Sequence, residues 1–374
     1  MPHLWVQIKS VKFLTDLGLY LHIPFCKKKC AYCDFYSTFV NDEVIGSYLK
    51  ALTREIKQWG GKTHRPIDTV YLGGGTPSLL NERLIPLIFA VKESFNITDN
   101  AEVTLEINPQ NDIEKILKNA KAAGVNRISI GAQSGTDSEL SVLGRCHSVS
   151  DTENAVKIAR ALGFDNISLD LMLGLPDSST ETLQSSLDFV LSLKPEHISA
   201  YILKIEENTK LYKLQDTLNL PDEDNICDQY LLMCDTFKKS GFSHYEISNF
   251  CKEGKESRHN LKYWKCEEYL GLGPGAHSFF EGQRFYYPRD LKAFIKGNTP
   301  TDDGFGGDLS EEIMLSLRLK EGIKTEMLPE SAVKKCELFY KNGLGVLKDG
   351  HFRLTDQGML LSNSIITELL ECIE

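Results

Sequence analysis

The sequence lacks any long uninterrupted apolar run and any strongly basic tract, and each absence excludes a class of protein. No stretch of about 18 apolar residues is present, although a membrane-spanning helix requires one. The net charge is -10, and no basic run interleaved with aromatic residues occurs, which argues against a nucleic-acid partner. The first 18 residues contain no arginine and no apolar core of a signal peptide. We therefore expect a cytoplasmic protein that is not an integral membrane protein.

A disulfide framework fits the sequence poorly, although the chain contains 10 cysteines. Disulfides are rare in a reducing cytosol. Three of the cysteines, Cys26, Cys30 and Cys33, lie within eight residues, whereas the other seven are scattered. This distribution favours a metal site near the N-terminus, with ordinary buried thiols elsewhere.

The spacing of these three cysteines favours an iron–sulfur cluster. Three intervening residues and then two allow one loop to place three thiolates around one face of a metal centre. A structural zinc site normally has four ligands. A 4Fe-4S cluster held by three thiolates leaves one iron open to an external ligand. Zinc and three purely structural thiols remain as less favoured alternatives.

From about residue 18 to 205, short apolar runs alternate with amphipathic helical patterns, which predicts an α/β fold around a parallel sheet. Asp42 and Ser179 are expected to begin helices, and Gly124 and Gly163 to end them. Glycine or polar residues follow several strands, at the edge where parallel α/β sheets bind ligands. The predicted strands are 19–23, 69–72, 102–107, 127–130, 167–172 and 197–201. The predicted helices are 43–59, 80–94, 112–123, 149–162 and 179–193.

The alternation fades after residue 205. A helical region at 221–240 is followed by a stretch to about 300 that we expect to be irregular. From 309 onward, three helical patterns and a hairpin with Asp349 and Gly350 at its turn predict a small, mostly helical, winged-helix-like domain. The predicted division is an N-terminal extension at 1–17, a core at 18–220, a connecting region at 221–300 and a C-terminal domain at 301–374.

The Cx3Cx2C motif beside a first strand, followed by about six βα units, resembles the signature of the radical S-adenosylmethionine (SAM) superfamily. That resemblance implies a partial (β/α)6 barrel and a 4Fe-4S cluster held by Cys26, Cys30 and Cys33. It also implies that the open iron is chelated by the amino and carboxylate groups of SAM. In that superfamily, an electron from the cluster cleaves the sulfonium and yields a 5′-deoxyadenosyl radical.

Further motifs narrow the resemblance to one branch of this superfamily. YLHIPFC at 20–26, GGGTP at 73–77, EINP at 106–109, SIGAQ at 129–133, LGRCH at 143–147 and DLMLGLP at 170–176 occur in this order. Together they resemble the branch that contains oxygen-independent coproporphyrinogen III oxidases and HemW-type heme chaperones. By this resemblance, the SAM contacts fall on Tyr20, Gly74, Gly75, Thr76, Glu106, Gln133, Arg145 and Asp170.

The residue types suit those roles. Gly74 and Gly75 permit close backbone approach, so that their N–H groups would face the SAM carboxylate. Arg145 can pair with a carboxylate through two hydrogen bonds. Asp170 and Gln133 suit ribose hydroxyls or an amino group. Taken singly, GGGTP is also compatible with a simple tight turn, and Glu106 or Asp170 with a helix cap or an ion pair.

Two features distinguish the oxidase hypothesis from the heme-chaperone hypothesis. The oxidase pattern continues to a fourth cysteine where this chain has Phe35, and the oxidase carries a longer segment before the cluster. The resemblance therefore implies a heme chaperone that transfers heme to an unidentified acceptor protein. The alternative is the oxidase itself, which decarboxylates its substrate oxidatively. An electron donor is implied, and the chain is expected to be a monomer or a homodimer.

The segment HNLKYW at 259–264 is similar to the HNxxYW motif associated with heme binding in the chaperone subgroup. By this resemblance His259 is the expected heme contact, since an imidazole can ligate heme iron axially. Cys266 and His277 lie nearby in the sequence as alternative ligands, although a structural role is favoured for each. Without the family, a single histidine beside aromatic residues is more typical of a packed core.

Overall fold

The structure is a computed structural model that describes residues 15–39, 41–109 and 112–373. Most of the predicted N-terminal extension, residues 1–14, lies outside the described residues. The described strands are β1 (Leu17–Ile23), β2 (Phe25–Cys26), β3 (Thr38–Phe39), β4 (Ile67–Gly74), β5 (Ile97–Ile107), β6 (Arg127–Gln133), β7 (Ile167–Leu173), β8 (His197–Ile202), β9 (Ser243–Glu246), β10 (Asn249–Cys251), β11 (Tyr269–Leu272), β12 (His277–Phe280), β13 (Gln283–Tyr286), β14 (Thr301–Phe305), β15 (Ile323–Lys324), β16 (Gly345–Lys348) and β17 (His351–Leu354).

The helices lie mainly between the parallel strands and in the C-terminal region. They are α1 (Asp42–Gly60), α2 (Leu84–Ser94), α3 (Ile113–Ala123), α4 (Asp137–Val142), α5 (Val149–Ala161), α6 (Thr180–Ser192), α7 (Lys210–Leu214), α8 (Glu223–Lys239), α9 (Arg258–Trp264), α10 (Leu291–Lys296), α11 (Leu309–Ser316), α12 (Glu330–Lys341), α13 (Asp356–Leu360) and α14 (Ser362–Leu370). None of these described helices is both long and apolar enough to cross a bilayer.

The main sheet contains twelve strands in the order β14-β13-β12-β11-β1-β4-β5-β6-β7-β8-β10-β9. Neighbouring strands from β11 through β8 are parallel, and the strands beyond each end of this run are antiparallel. The six strands predicted from the sequence coincide with β1 and β4 to β8. The α/β fold with a parallel sheet is confirmed.

The two faces of the parallel strands differ in polarity, because successive side chains of a strand point to opposite faces. On the outer face, Leu19 and Leu21 of β1 are fully buried in the main apolar core with residues of the helices. On the inner face, Glu106 of β5 is in register with Ser129 of β6, and the Ser129 hydroxyl donates to Asp170 of β7. The apolar layer therefore stabilises the fold, while the polar residues face the inside of the barrel.

The observed helix ends agree with those predicted from the sequence, except at the start of α1. Ser179 is the N-cap of α6, and Gly124 ends α3 with a φ of 93°, as expected. Asp42 was expected to cap α1, but the cap is Asn41, whose side chain accepts from the backbone N–H groups of residues 43 and 44. Asp42 is instead the first helical residue, where its negative charge suits the helix dipole.

The expectation that residues 241–300 are irregular is wrong. This segment forms β9 to β13, α9 and α10, and its strands extend both edges of the main sheet. β9 to β13 are only three or four residues long, so they show no usable hydrophobic periodicity. β11 lies parallel to β1, and this long-range pairing carries no local sequence signal.

The C-terminal region from residue 309 contains α11 to α14 and a small sheet in the order β15-β17-β16. The predicted hairpin is β16–β17, and Asp349 and Gly350 form its turn with φ values of 53° and 73°. Positive φ at both central residues is the type I′ geometry that an Asp-Gly pair favours. Four helices replace the three predicted helical patterns, because α13 and α14 are separated only by Leu361.

Candidate functional site

A pocket at the carboxyl ends of β4 to β7 brings most of the predicted site residues together. The space inside it is about 690 Å³, part of which is open to solvent. Its lining contains the three clustered cysteines and seven of the eight residues assigned to SAM. These are Cys26, Cys30, Cys33, Gly74, Gly75, Thr76, Glu106, Gln133, Arg145 and Asp170.

The cysteine loop is held against the barrel by backbone hydrogen bonds. Ala31, between the second and third cysteines, donates to the Leu143 carbonyl at 2.9 Å and accepts from the Leu211 N–H at 2.9 Å. The Cys26 sulfur lies 3.6 Å from the Thr76 hydroxyl oxygen, which joins the loop to the segment after β4. All three cysteines are half-buried. The loop therefore presents its sulfurs to the pocket from a fixed position.

The spacing of the three sulfurs fits a cluster better than a single ion. Zn–S bonds of about 2.3 Å bring the ligands of one tetrahedral ion close together. Among the described residues, only one set of three His, Cys, Asp or Glu side chains has all its donor atoms within 4.8 Å, namely Cys234, His244 and Asp356. The three pocket cysteines are spread more widely, as is expected where each thiolate binds a different iron.

Arg145 provides the positive charge beside these sulfurs. Its Nη1 donates to Cys30 Sγ at 3.5 Å, and its Nη2 donates to Asn108 Oδ1 at 2.8 Å and to the Gly131 carbonyl at 2.7 Å. A guanidinium stays protonated in proteins, so it can offset the negative charge of thiolates.

The GGGTP segment packs more tightly than the sequence indicates. Gly74 has a φ of 117°, which favours glycine, and a Cβ on Gly75 would lie 2.7 Å from the Phe25 carbonyl oxygen. We expected the N–H groups of these glycines to face a ligand carboxylate, and this is wrong. Gly74 donates to Glu106, and Gly75 donates to the Ile23 carbonyl. The glycines shape the pocket wall, while their N–H groups stabilise the loop.

Two carboxyl groups lie inside the barrel at this pocket. Burial, and then the charge of Asp170, raise the pKa of Glu106 to about 7. The Tyr71 hydroxyl donates to one Glu106 oxygen at 2.9 Å, and the Gly74 N–H donates to the other at 3.1 Å. Burial also raises the pKa of Asp170, although the Ser129 hydroxyl and the charge of Arg127 favour its ionised form. Both groups can accept hydrogen bonds from a cationic ligand.

Gln133 has an unusual backbone conformation at the end of β6. Its φ is 69°, in the left-handed region that non-glycine residues rarely occupy, and the pairing with β7 shifts register next to it. Such strain often accompanies functional sites. Gln133 also lines the pocket.

Tyr20 is the one predicted SAM residue that does not line the pocket. Its hydroxyl is hydrogen-bonded to His22 Nδ1 at 3.0 Å, and its ring lies 6.1 Å from the Tyr71 ring, centroid to centroid. It therefore lies behind the pocket wall, one layer deeper in the barrel.

Comparison with known proteins agrees with this geometry. Residues 20–190 match the Radical SAM superfamily, and residues 308–361 match the HemN C-terminal domain. The chain is 35% identical over 376 residues to "Heme chaperone HemW" of Bacillus subtilis (strain 168), covering 94% of this chain and 98% of the relative. The chain belongs to the HemW heme chaperone family. A HemW of Mycobacterium tuberculosis (strain ATCC 25618 / H37Rv) is also 35% identical, with 94% of each chain covered.

Membership in this family, within the radical SAM superfamily, implies a 4Fe-4S cluster and SAM as cofactors. Among solved structures, coproporphyrinogen III oxidase (HemN) from Escherichia coli superimposes with a TM-score of 0.82 at 22% identity, covering 95% of this chain and 90% of that one. The likeness shows the fold, a radical SAM barrel followed by the C-terminal domain.

In this HemW-family chain, Phe35 stands where the oxidase motif has its fourth cysteine. Phe35 lines the pocket and is 69% exposed. A phenyl ring supplies no metal ligand, so only three protein thiolates reach this side of the pocket from the cysteine loop.

The HNxxYW segment of this HemW-family chain lies away from the pocket, at the opposite end of the barrel. It forms α9, and Glu102 of β5 accepts from the first N–H groups of that helix. His259 is 1% exposed. Its Nδ1 is hydrogen-bonded to Thr69 and its Nε2 to the Tyr263 hydroxyl, both at 2.8 Å. The two alternative ligands differ in solvent exposure. Cys266 is buried, whereas His277 of β12 is exposed.

Sequence reasoning missed three pocket residues that the structure connects to the site. Asn108 donates to the Thr76 hydroxyl and accepts from Arg145. Ser129 donates to Asp170, and Tyr32 lines the pocket between the second and third cysteines. Each of these residues lies within one of the sequence motifs described above. Its position in that motif could have identified it as a pocket residue.

The group at Cys234, His244 and Asp356 is a separate network. Asp356 Oδ1 is 3.1 Å from His244 Nδ1 and 2.5 Å from Lys320 Nζ. The lysine already balances this carboxylate, so the group joins α8 and β9 to the C-terminal domain without requiring a metal.

Proposed function

We propose that this chain is a heme chaperone. It binds heme, carries a SAM-ligated 4Fe-4S cluster on Cys26, Cys30 and Cys33, and transfers the heme to an acceptor protein. The observation that carries the proposal is its similarity, along nearly the whole chain, to several proteins named heme chaperones. The pocket with three cysteines supports the cofactor half.

The pocket residues have separate tasks in this proposal. Three thiolates hold the cluster, and Arg145 offsets their charge beside Cys30. Glu106, Asp170 and Gln133 bind the polar groups of SAM from the strand ends, and Gly74 and Gly75 keep that wall free of side chains. When bound, the cluster supplies an electron-transfer centre with one iron open to SAM.

The oxidase alternative is less favoured. The fold is shared with coproporphyrinogen III oxidase, but fold alone does not define an activity. Phe35 replaces the fourth cysteine of the oxidase motif. The relatives that cover this chain at about 35% identity are named heme chaperones.

The finer assignments belong to the same proposal. We infer a cytoplasmic location, an unidentified heme acceptor, an electron donor, and a monomer or homodimer. No disulfide joins any of the ten cysteines, which fits a reducing compartment. We also propose that the core at 18–220, the connecting region at 221–300 and the C-terminal domain at 301–374 are the functional divisions.

A parallel anaerobic assay tests the proposal. The reconstituted protein is given SAM and a reductant with either heme or coproporphyrinogen III. We expect stable heme binding, transfer of that heme to an apo heme protein, and no protoporphyrinogen IX. Conversion of coproporphyrinogen III would assign the chain to the oxidase instead.

The predicted heme contact at His259 needs its own test. Axial ligation would require the ring to give up a hydrogen bond to Thr69 or Tyr263, since both ring nitrogens are engaged. Heme titration of the wild type and of His259→Ala decides the matter. Loss of binding would support His259 as a heme contact, whereas equal binding would remove it from the heme site.

A further inference from the structure

His259 of α9 extends into the barrel interior from the amino ends of β1 and β4, beneath the SAM pocket. Its ring faces β1 and β4, because a Cβ on Gly18 would lie 3.2 Å from His259 Cε1, and Thr69 of β4 is its Nδ1 partner. Its backbone N–H donates to Glu102 of β5 at 3.3 Å. Three neighbouring strands therefore fix the position of this side chain.

The His259 ring supports the aromatic layer under the pocket. It stacks on Tyr71 with a centroid distance of 5.3 Å and an interplanar angle of 29°. It also stacks on Tyr20 at 6.4 Å and 27°. Tyr20 and Tyr71 are in register on the adjacent strands β1 and β4, and their rings are 6.1 Å apart.

Tyr71 connects this layer to the pocket. Its hydroxyl donates to Glu106 Oε1 at 2.9 Å, and Glu106 Oε2 accepts from the Gly74 N–H at 3.1 Å. Glu106 and Gly74 both line the pocket assigned to SAM. A continuous set of contacts thus runs from His259 through Tyr71 and Glu106 to Gly74.

We propose that His259 is a positioning residue for the SAM pocket, acting through Tyr71 on Glu106 and Gly74. This inference rests on the proposed binding of SAM at the pocket. A shorter or non-planar side chain at 259 would leave a gap in the tightly packed barrel interior, and Tyr71 would tilt into it. The Tyr71 hydroxyl would then no longer orient the Glu106 carboxylate for its ligand, because such supporting contacts set the precision of a site.

The chain offers a matched control in His197. This residue is fully buried in the same barrel, and its Nδ1 and Nε2 are hydrogen-bonded to the Ser168 and Tyr245 hydroxyls, both at 2.8 Å. The chemistry equals that of His259. Its described ring contact is with Tyr245 and not with the tyrosines under the pocket. Replacing it tests whether loss of any buried histidine loosens the barrel.

The experiment measures the SAM dissociation constant of the anaerobically reconstituted full-length protein. His259→Gln, Tyr71→Phe, the double variant and His197→Gln are compared with the wild type. We expect His259→Gln to raise the dissociation constant by about fivefold or more, at unchanged iron and sulfide content. Both substitutions act on Glu106. The double variant should therefore bind SAM no more weakly than the single variant that has the lower SAM affinity. His197→Gln should bind SAM like the wild type.

Unchanged SAM binding in His259→Gln would overturn the inference, as would an equal loss in His197→Gln or fully multiplicative effects in the double variant. Thr69→Val, which removes the Nδ1 partner, replaces His259→Gln if that variant does not fold. Heme titration of the same samples separates the roles. Loss of heme binding with normal SAM binding would leave His259 as a heme contact and contradict the inference. A wild type that binds no SAM would refute the proposed cofactor site itself.

Discussion

Arg145 Nη1 lies 3.5 Å from Cys30 Sγ, while Nη2 of the same guanidinium is held by Asn108 and the Gly131 carbonyl. This half-buried cation thus joins the cysteine loop to the residue that directly follows β5 and, through a backbone carbonyl, to β6. A planar guanidinium can serve a thiolate and a neighbouring ligand carboxylate from a single fixed position.

Arg145→Gln should weaken SAM binding without preventing cluster assembly. The substitution removes a charged donor, and a charge-assisted hydrogen bond contributes roughly 1.5–3 kcal/mol, so we expect the SAM dissociation constant to rise about tenfold or more. The SAM dissociation constant is measured by equilibrium binding of SAM to the reconstituted protein. Lys28→Gln, at an exposed lysine of the pocket rim, is the control. Normal SAM affinity in Arg145→Gln would remove this residue from the SAM site.

Cys30→Ala should abolish the visible absorbance of the cluster. Two thiolates cannot hold the cluster in the arrangement that leaves one iron open, so iron and sulfide content should fall with the absorbance. Cys227→Ala is a suitable control, because that thiol is also only half-buried but lies on α8, away from the pocket. A full cluster in Cys30→Ala would contradict the ligand assignment.

SAM affinity should depend on pH through Glu106. Its pKa of about 7 means that the carboxylate becomes protonated as the pH falls through neutrality, and a protonated group attracts the SAM amino group less. We therefore expect weaker binding at about pH 6 than at about pH 8. In Glu106→Gln, affinity should be lower and nearly constant over this range. An equally steep pH profile in that variant would assign the titration to another group.

Glu246 should make the fold less stable as the pH rises from about 4.5 to about 7. Burial raises its pKa to about 7, above the ordinary value of 4.5, so the folded state binds the proton more tightly than the unfolded state does. Its stabilisation is complete below about pH 4.5 and is lost as the pH rises through 7, by roughly 3 kcal/mol in total. The difference in thermal unfolding midpoint between Glu246→Gln and the wild type should grow in favour of the variant between about pH 5 and pH 8. A constant difference would show that Glu246 does not titrate in this window.

The sequence predicts the parallel core well, because each of its strands is an apolar run of several residues between amphipathic helices. The resemblance to the radical SAM branch also groups Cys26, Cys30 and Cys33 with Arg145 and Asp170, and these residues line one pocket. The strands β9 to β13 were missed because they are only three or four residues long, and because β10 and β11 pair with the distant strands β8 and β1. His259 illustrates the same limit, since only closure of the barrel brings it beneath Tyr20 and Tyr71.

The most direct test of a SAM-ligated cluster in this pocket is the electron paramagnetic resonance spectrum of the reduced, reconstituted protein with and without SAM. The open iron should change its ligand when SAM binds. We predict that SAM shifts the cluster signal of the wild type and of Cys227→Ala, and that Cys30→Ala gives no such signal. A reduced 4Fe-4S signal that is unaffected by saturating SAM in the wild type would contradict the assignment of this pocket.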